Sequence, residues 1–134
     1  ESGNKEFLKK LIYAQVRNVL LNKSFHEVMD VDTGRAWRWP HLPWHAAGFI
    51  GFIVNGVFGI RYSEQGIQVH PCILDEFEGA VLDSVPYQNA KFVFEIHGHG
   101  DSYTVKLDGN PLEGFFGKEM TGEHKVDIYA HETE

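Results

Sequence analysis

Between Phe25 and His45 the chain gathers three carboxylates (Glu27, Asp30, Asp32), three imidazoles (His26, His41, His45) and all three of its tryptophans (Trp37, Trp39, Trp44). A carboxylate hydrogen-bonds hydroxyls or takes a proton from water, and an indole face suits the axial C–H surface of a sugar ring. Together these side chains point to carbohydrate chemistry. The ordinary alternative is a solvated acidic loop whose tryptophans pack into a core, and composition does not separate the two.

A second group lies at Glu95, His97 and His99. On a continuous strand, residues at i, i+2 and i+4 share one side, as the metal-binding strands of cupin barrels arrange them. The cupin pattern then requires a nearby carboxylate and a histidine from a later strand. Asp101 is close and His124 distant. With no fourth ligand at a fitting distance, a polar strand end entering a Gly-rich turn is the better reading, and no metal is expected. The single cysteine, Cys72, excludes an internal disulfide framework and a cysteine-based zinc finger. Set between Pro71 and Ile73, it reads as an inert thiol. No Gly-x-Ser-x-Gly elbow, Walker loop or dinucleotide fingerprint occurs, and Asn22-Lys23-Ser24 has the bare form of a glycosylation sequon.

The elements that must position these groups change character along the chain. From Phe7 to Leu21, Leu8, Ile12, Val16 and Val19 recur at helical spacing, opposite Lys9, Lys10, Arg17 and Asn18. Asn4 is the expected N-cap and Asn22-Lys23 the expected end. Residues 23–43 read as a long connection with a turn at Asp32-Thr33-Gly34 and interruptions at Pro40 and Pro43. A second helix is expected from Trp44 to about Val57, apolar on nearly every side and therefore buried. Beyond Gly59 the period becomes two. Strands are expected at 60–62, 67–70, 80–82, 91–97, 103–107 and 125–129, with a tight turn at Asp108-Gly109. The expected fold class is α+β: two N-terminal helices over residues 1–58, then an antiparallel β-sandwich over 59–134.

The 134 residues suit roughly one domain's worth of chain. With 12 Lys+Arg against 19 Asp+Glu, the net charge of −7 argues against a nucleic-acid partner. The apolar run from Ala46 to Ile60 stops at Arg61, short of the roughly 18–20 residues of a spanning helix, so no membrane role is expected. No basic region followed by an apolar stretch opens the chain, so no signal peptide is visible and the localisation stays open. The first residue is not Met, consistent with a piece of a longer protein.

In order, these features resemble the C-terminal end of six-hairpin, (α/α)6-barrel glycosidases, the group that includes bacterial α-L-rhamnosidases and cellobiose-type phosphorylases. The matching pieces are Phe25-His26-Glu27, Pro43-Trp44-His45-Ala46-Ala47-Gly48, Val57-Phe58-Gly59-Ile60-Arg61 and Gly66-Ile67-Gln68-Val69-His70-Pro71. Two departures stand out: His26 precedes Glu27 where the family carries Trp, and Leu74-Asp75 stand where it places a proline. The resemblance implies the last helices of a barrel followed by a sandwich, with most of the barrel, including the general acid, on helices outside these residues. It implies an inverting displacement at a glycosidic bond, with hydrolysis and phosphorolysis both open. Glu27 would be the catalytic base, His45 and Trp44 would contact the sugar, Trp39 would join them, and Asp30 and Asp32 are secondary candidates. No metal or organic cofactor is implied. The partners are a carbohydrate substrate and the barrel helices, without which the isolated chain should be inactive and should self-associate. Two readings compete: a non-catalytic carbohydrate-binding or structural β-sandwich module, and a cupin-like metal protein using His97 and His99.

Overall fold

The computed structural model describes residues 2–133. They form an α+β chain of two helices followed by largely antiparallel sheet, in two units that divide between Val54 and Asn55.

In the first unit, α1 runs Ser2–Asn22. Asn4 therefore lies inside the first turn and is not the cap: the helix starts earlier than its apolar stripe. It ends where expected, with Lys23 in the left-handed region (φ 60°) donating its N–H to the Val19 carbonyl at 2.8 Å. The long connection contains a small hairpin, β1 (Val28–Met29) against β2 (Ala36–Arg38), closed by the turn at 30–34. Helix α2 spans Pro43–Gly51, with Pro43 in the first turn, where a missing N–H costs nothing. The chain then widens into a π-helical stretch, Phe52–Val57. Contrary to the expected burial on every side, no residue of α2 is buried. Among the described residues, no helix is long and apolar enough to cross a membrane.

In the second unit, β3 (Ile60–Ser63) and β4 (Gly66–Val69) form a hairpin. A five-stranded sheet follows, made of β5 (Val81–Tyr87), β6 (Asn89–His97), β7 (Ser102–Leu107), β8 (Asn110–Pro111) and β9 (Thr121–His131), in the order β5-β6-β9-β7-β8. The β7–β8 connection is the expected Asp108-Gly109 turn, with φ of 49° and 82°. One pairing departs from an all-antiparallel arrangement: β6 and β9 run parallel over their whole overlap, from Asn89↔Thr121 to His97↔Tyr129. The intervening residues 98–120 supply the long crossover that a parallel pair requires. Alternation then sorts the faces. Phe92, Phe94 and Ile96 share the core side with Val126 and Ile128, all fully buried. Phe116 packs edge-on against Phe92 at 5.3 Å and exchanges backbone bonds of 2.8 and 3.0 Å with Ile67 of β4. The opposite face carries Glu95, His97, Lys125 and Tyr129.

Candidate functional site

The segment from Phe25 to His45 is held by its backbone more than by a core. Glu27 N–H donates to the Trp39 carbonyl (3.3 Å), Leu42 N–H to Phe25 (3.1 Å), and His41 N–H to Ser24 Oγ (3.1 Å). His45 Nδ1 lies 2.6 Å from the His26 carbonyl. A carbonyl only accepts, so Nδ1 carries the proton, and a neutral His45 presents Nε2 as an acceptor. The peptide just before Glu27 is thus tied to the first turn of α2. Phe49 of α2 adds a ring contact with Phe25 at 5.9 Å.

These ties hold an unusual backbone. Trp39 (φ 44°) and His41 (φ 63°), on either side of Pro40, both occupy the left-handed region. Bulky residues there cost of the order of 1–3 kcal/mol each, and such strain persists only where surrounding bonds over-determine it. The outcome is a projecting aromatic group: Trp37, Trp39 and Trp44 are 60–66% exposed. Among the described residues the tryptophans do not pack into a core. Arg38 lies over the Trp37 ring, 5.4 Å from its centroid.

The three carboxylates differ. Glu27 is exposed, and among the described residues its carboxylate has no hydrogen-bond or ion-pair partner. Asp30 is engaged in its own turn: one oxygen accepts both the Thr33 hydroxyl and the Thr33 N–H at 2.7 Å. The hydroxyl bond, then the backbone one, hold its carboxyl below the usual range. Asp32 sits exposed within the same turn. Glu27 is therefore the carboxylate that a water or a hydroxyl can approach freely, Asp32 is a second exposed one, and Asp30 builds the turn that presents it.

Sequence reasoning passed over Asn22. Its Nδ2 donates to Asn18 O (3.1 Å) and Gly34 O (2.9 Å), and its Oδ1 accepts Ala36 N–H (2.8 Å), so this one side chain docks the β1–β2 hairpin on the end of α1. The only hint in the sequence was its place at the helix end, ahead of a polar turn. The same bonds occupy the amide of the apparent sequon. Ser24 and His41 form a second unanticipated pair, Oγ to Nδ1 at 2.9 Å.

No protein-family model matches this chain, and no curated protein matches it significantly. The candidate site stands on its geometry.

The cupin-like arrangement does not form. Strand β6 ends at His97, Gly98 turns the chain (φ 71°), and His99 stands opposite Glu78 at 3.8 Å. His124 lies elsewhere, stacked on Phe92 and paired with Asp108 at 2.7 Å. Asp127 of β9 joins Glu95 and His97 instead, and their ligand atoms lie within 4.8 Å of one another. The Lys125 ammonium already sits between the carboxylates, 2.8 Å from Glu95 and 2.9 Å from Asp127, while His97 Nε2 is 2.7 Å from Asp127. Asp127 is 8% exposed. Burial opposes its ionisation, but hydrogen bonds from Lys125 and then His97 outweigh that and lower its pKa. The hydrogen bonds that Lys125 donates to Glu95, then to Asp127, raise its own pKa. A metal here would have to displace a resident cation.

Proposed function

We propose that this chain is the C-terminal part of a carbohydrate-active enzyme, an inverting glycoside hydrolase of the six-hairpin type. On this reading α1, α2 and the segment between them close an (α/α)6 barrel whose other helices precede these residues. The β3–β4 hairpin and the five-stranded sheet would be the two layers of the sandwich that follows it, with Phe116 and Ile67 at their junction.

The observation that carries the reading is the incomplete helical unit. Among the described residues up to Val54, Ile12 is the only buried hydrophobic, whereas Phe7, Tyr13, Leu20, Leu21 and Ile50 are exposed along with the tryptophans. Each large apolar side chain left in water forgoes about 1.5–3 kcal/mol of burial, so this unit is built to be covered. Neighbouring barrel helices would supply that cover and leave the Glu27 loop at the barrel mouth.

The chemistry follows from the residues in place. Glu27, unpaired and backbone-pinned, takes a proton from the water that attacks the anomeric carbon. An acid on an upstream helix protonates the leaving oxygen, at the separation of about 6.5–9.5 Å that leaves room for that water. Trp39 and Trp44 offer faces to the sugar ring, the Nε2 of His45 accepts from a hydroxyl, and Asp32 offers a further acceptor.

The test has two arms. The native reading frame should extend several hundred residues upstream in helical-hairpin pattern, and a native start near Glu1 would refute the reading. In the full-length enzyme, Glu27→Gln should lower turnover by roughly two to four orders of magnitude, the usual worth of a general base, with substrate affinity changed much less. Near-normal turnover would remove Glu27 from the mechanism. The 134-residue chain alone should hydrolyse nothing.

A further inference from the structure

The β-rich unit carries a cleft of about 370 Å³ between β4 with the residues after it and the β7–β8 arm. Clefts that hold small ligands fall at about 300–1,000 Å³, so this one has room for roughly one or two pyranose rings. Its floor is apolar, from Val69, Val105 and Leu112. Around that floor stand Gln68, His70, Tyr103, Thr104 and Glu113. None of these five side chains has a hydrogen-bond or ion-pair partner among the described residues. The lining thus includes an amide, an imidazole, a phenol and a carboxylate without such a partner, and Tyr103 is 36% exposed; Thr104 pairs with Tyr129 and turns its side chain to the other face of β7.

The walls are fixed. At one end Ile67 and Phe116 exchange their paired backbone bonds, and Gly66 lies so close that a Cβ there would stand 2.5 Å from the Phe116 carbonyl. On the other side Leu112 N–H bonds Val105 O at 2.9 Å. The Asp108 carboxylate locks the β7–β8 turn by accepting Lys125 N–H at 2.9 Å and pairing with His124. A cleft held this way loses little freedom when a ligand enters.

We propose that this cleft binds a neutral sugar ring. The apolar floor and the Tyr103 ring suit a C–H face, and the polar lining residues suit hydroxyls, which both donate and accept. The charge pattern selects against anions, because Glu113 lines the cleft and no Lys or Arg does. The proposal rests on the β-rich unit alone and stands whether or not Glu27 is a catalytic base.

The test is an NMR titration of the 134-residue chain with cellobiose, methyl α-L-rhamnoside and glucuronate, each to about 20 mM, a range that captures a millimolar Kd. At least one of the two neutral sugars should shift the backbone amides of Gln68–His70, Thr104 and Glu113, with glucuronate binding several-fold more weakly. Tyr103→Ala should weaken binding about tenfold by removing the ring contact. Glu113→Ala, at an exposed position where folding is not at stake, should weaken it severalfold. The proposal is overturned by any of four results. These are no shifts with either neutral sugar, shifts confined to Trp39 and Trp44, glucuronate binding as tightly as the neutral sugars, or affinity retained in both variants.

Discussion

Asn22→Ala tests whether one side chain holds the tryptophan loop in place. Of the three bonds made by Asn22, the one to Asn18 O stays within α1, and those to Gly34 O and Ala36 N–H cross to the β1–β2 hairpin. A neutral hydrogen bond contributes about 0.5–1.5 kcal/mol net, so the two crossing bonds anchor the hairpin by about 1–3 kcal/mol. Asn22 is only half-buried, and water can take up the freed groups, which favours the lower part of that range. A loss of about 1–2 kcal/mol multiplies the population of the undocked hairpin by roughly 5–30. Hydrogen exchange reads this directly: the Ala36 amide should exchange faster by that factor, while the Gly34 amide, bonded to Asp30 O within the turn, and those of β6 and β9 keep wild-type rates. Asn22→Asp should not rescue docking despite its shape, because it retains an acceptor for Ala36 but sets a carboxylate against two carbonyl oxygens. Unchanged Ala36 exchange in Asn22→Ala would refute the reasoning and leave the Asp30 turn and the β1–β2 pairing as the anchors. On the proposed reading, the same variant in the full-length enzyme should lower kcat/KM, since Trp39 and the Glu27 bonded to its carbonyl lose their fixed position together.

Three further outcomes are expected. The imidazole of His124 lies between Asp108 Oδ2 (2.7 Å) and Thr121 O (3.1 Å), and two acceptors are satisfied together only by imidazolium, so its pKa is raised, chiefly by Asp108. A raised histidine stabilises the fold fully below its unfolded value of 6.5 and loses that contribution as pH climbs through the folded value. The urea midpoint should therefore fall from about pH 5.5 to about pH 8.5 by the equivalent of at most about 1 kcal/mol, as for a solvent-screened pair. His124→Gln should flatten that slope, and an unchanged slope in the variant would refute the assignment. Asp108, lowered first by the Lys125 N–H and then by His124, and Asp127 act oppositely, losing their contribution as pH falls through their lowered values. Elemental analysis of protein purified without a histidine tag should find no stoichiometric transition metal, because Lys125 fills the cation position; one zinc, iron or manganese per chain, lost on His97→Ala, would overturn this. The isolated chain should bind hydrophobic dye and self-associate, with Ile50→Asp and Leu20→Lys reducing both; a clean monomer that binds no dye would count against a covered helical unit.

The parts of the fold legible in the sequence are those set by neighbours in the chain. The helical run of α1, its stop at Lys23, the Asp108-Gly109 turn and the alternation of Phe92, Phe94 and Ile96 all follow from local sterics and period. The illegible parts depend on residues far apart. Nothing in Lys91–His97 names β9 as its partner or fixes the parallel direction, since alternation gives the same faces either way. The hairpin of β1 and β2 escaped because strands of two and three residues carry no period. At His97–His99 the preferred reading, a strand end entering a Gly-rich turn, is what forms: β6 stops at His97 and Gly98 turns the chain at φ 71°.

The sharper lesson concerns the apolar run Ala46–Ile60. Its composition demanded burial throughout, yet α2 has no buried residue and Ile50 is exposed, and burial begins only at Val57, Phe58 and Ile60. Hydropathy states how much surface must leave water, not which atoms will cover it. A sheet meets a helix along one stripe, whereas α2 is apolar on several sides, so one neighbour cannot satisfy it. The same reasoning bears on the site. The segment carrying Glu27, Trp39 and His45 is fixed by backbone bonds and tolerates strain at Trp39 and His41, with its aromatic faces still open. A segment that needed only to connect two helices would relax to ordinary φ values and bury its indoles. One held open in this way is consistent with the proposal above, in which a sugar ring meets the exposed indoles beside Glu27.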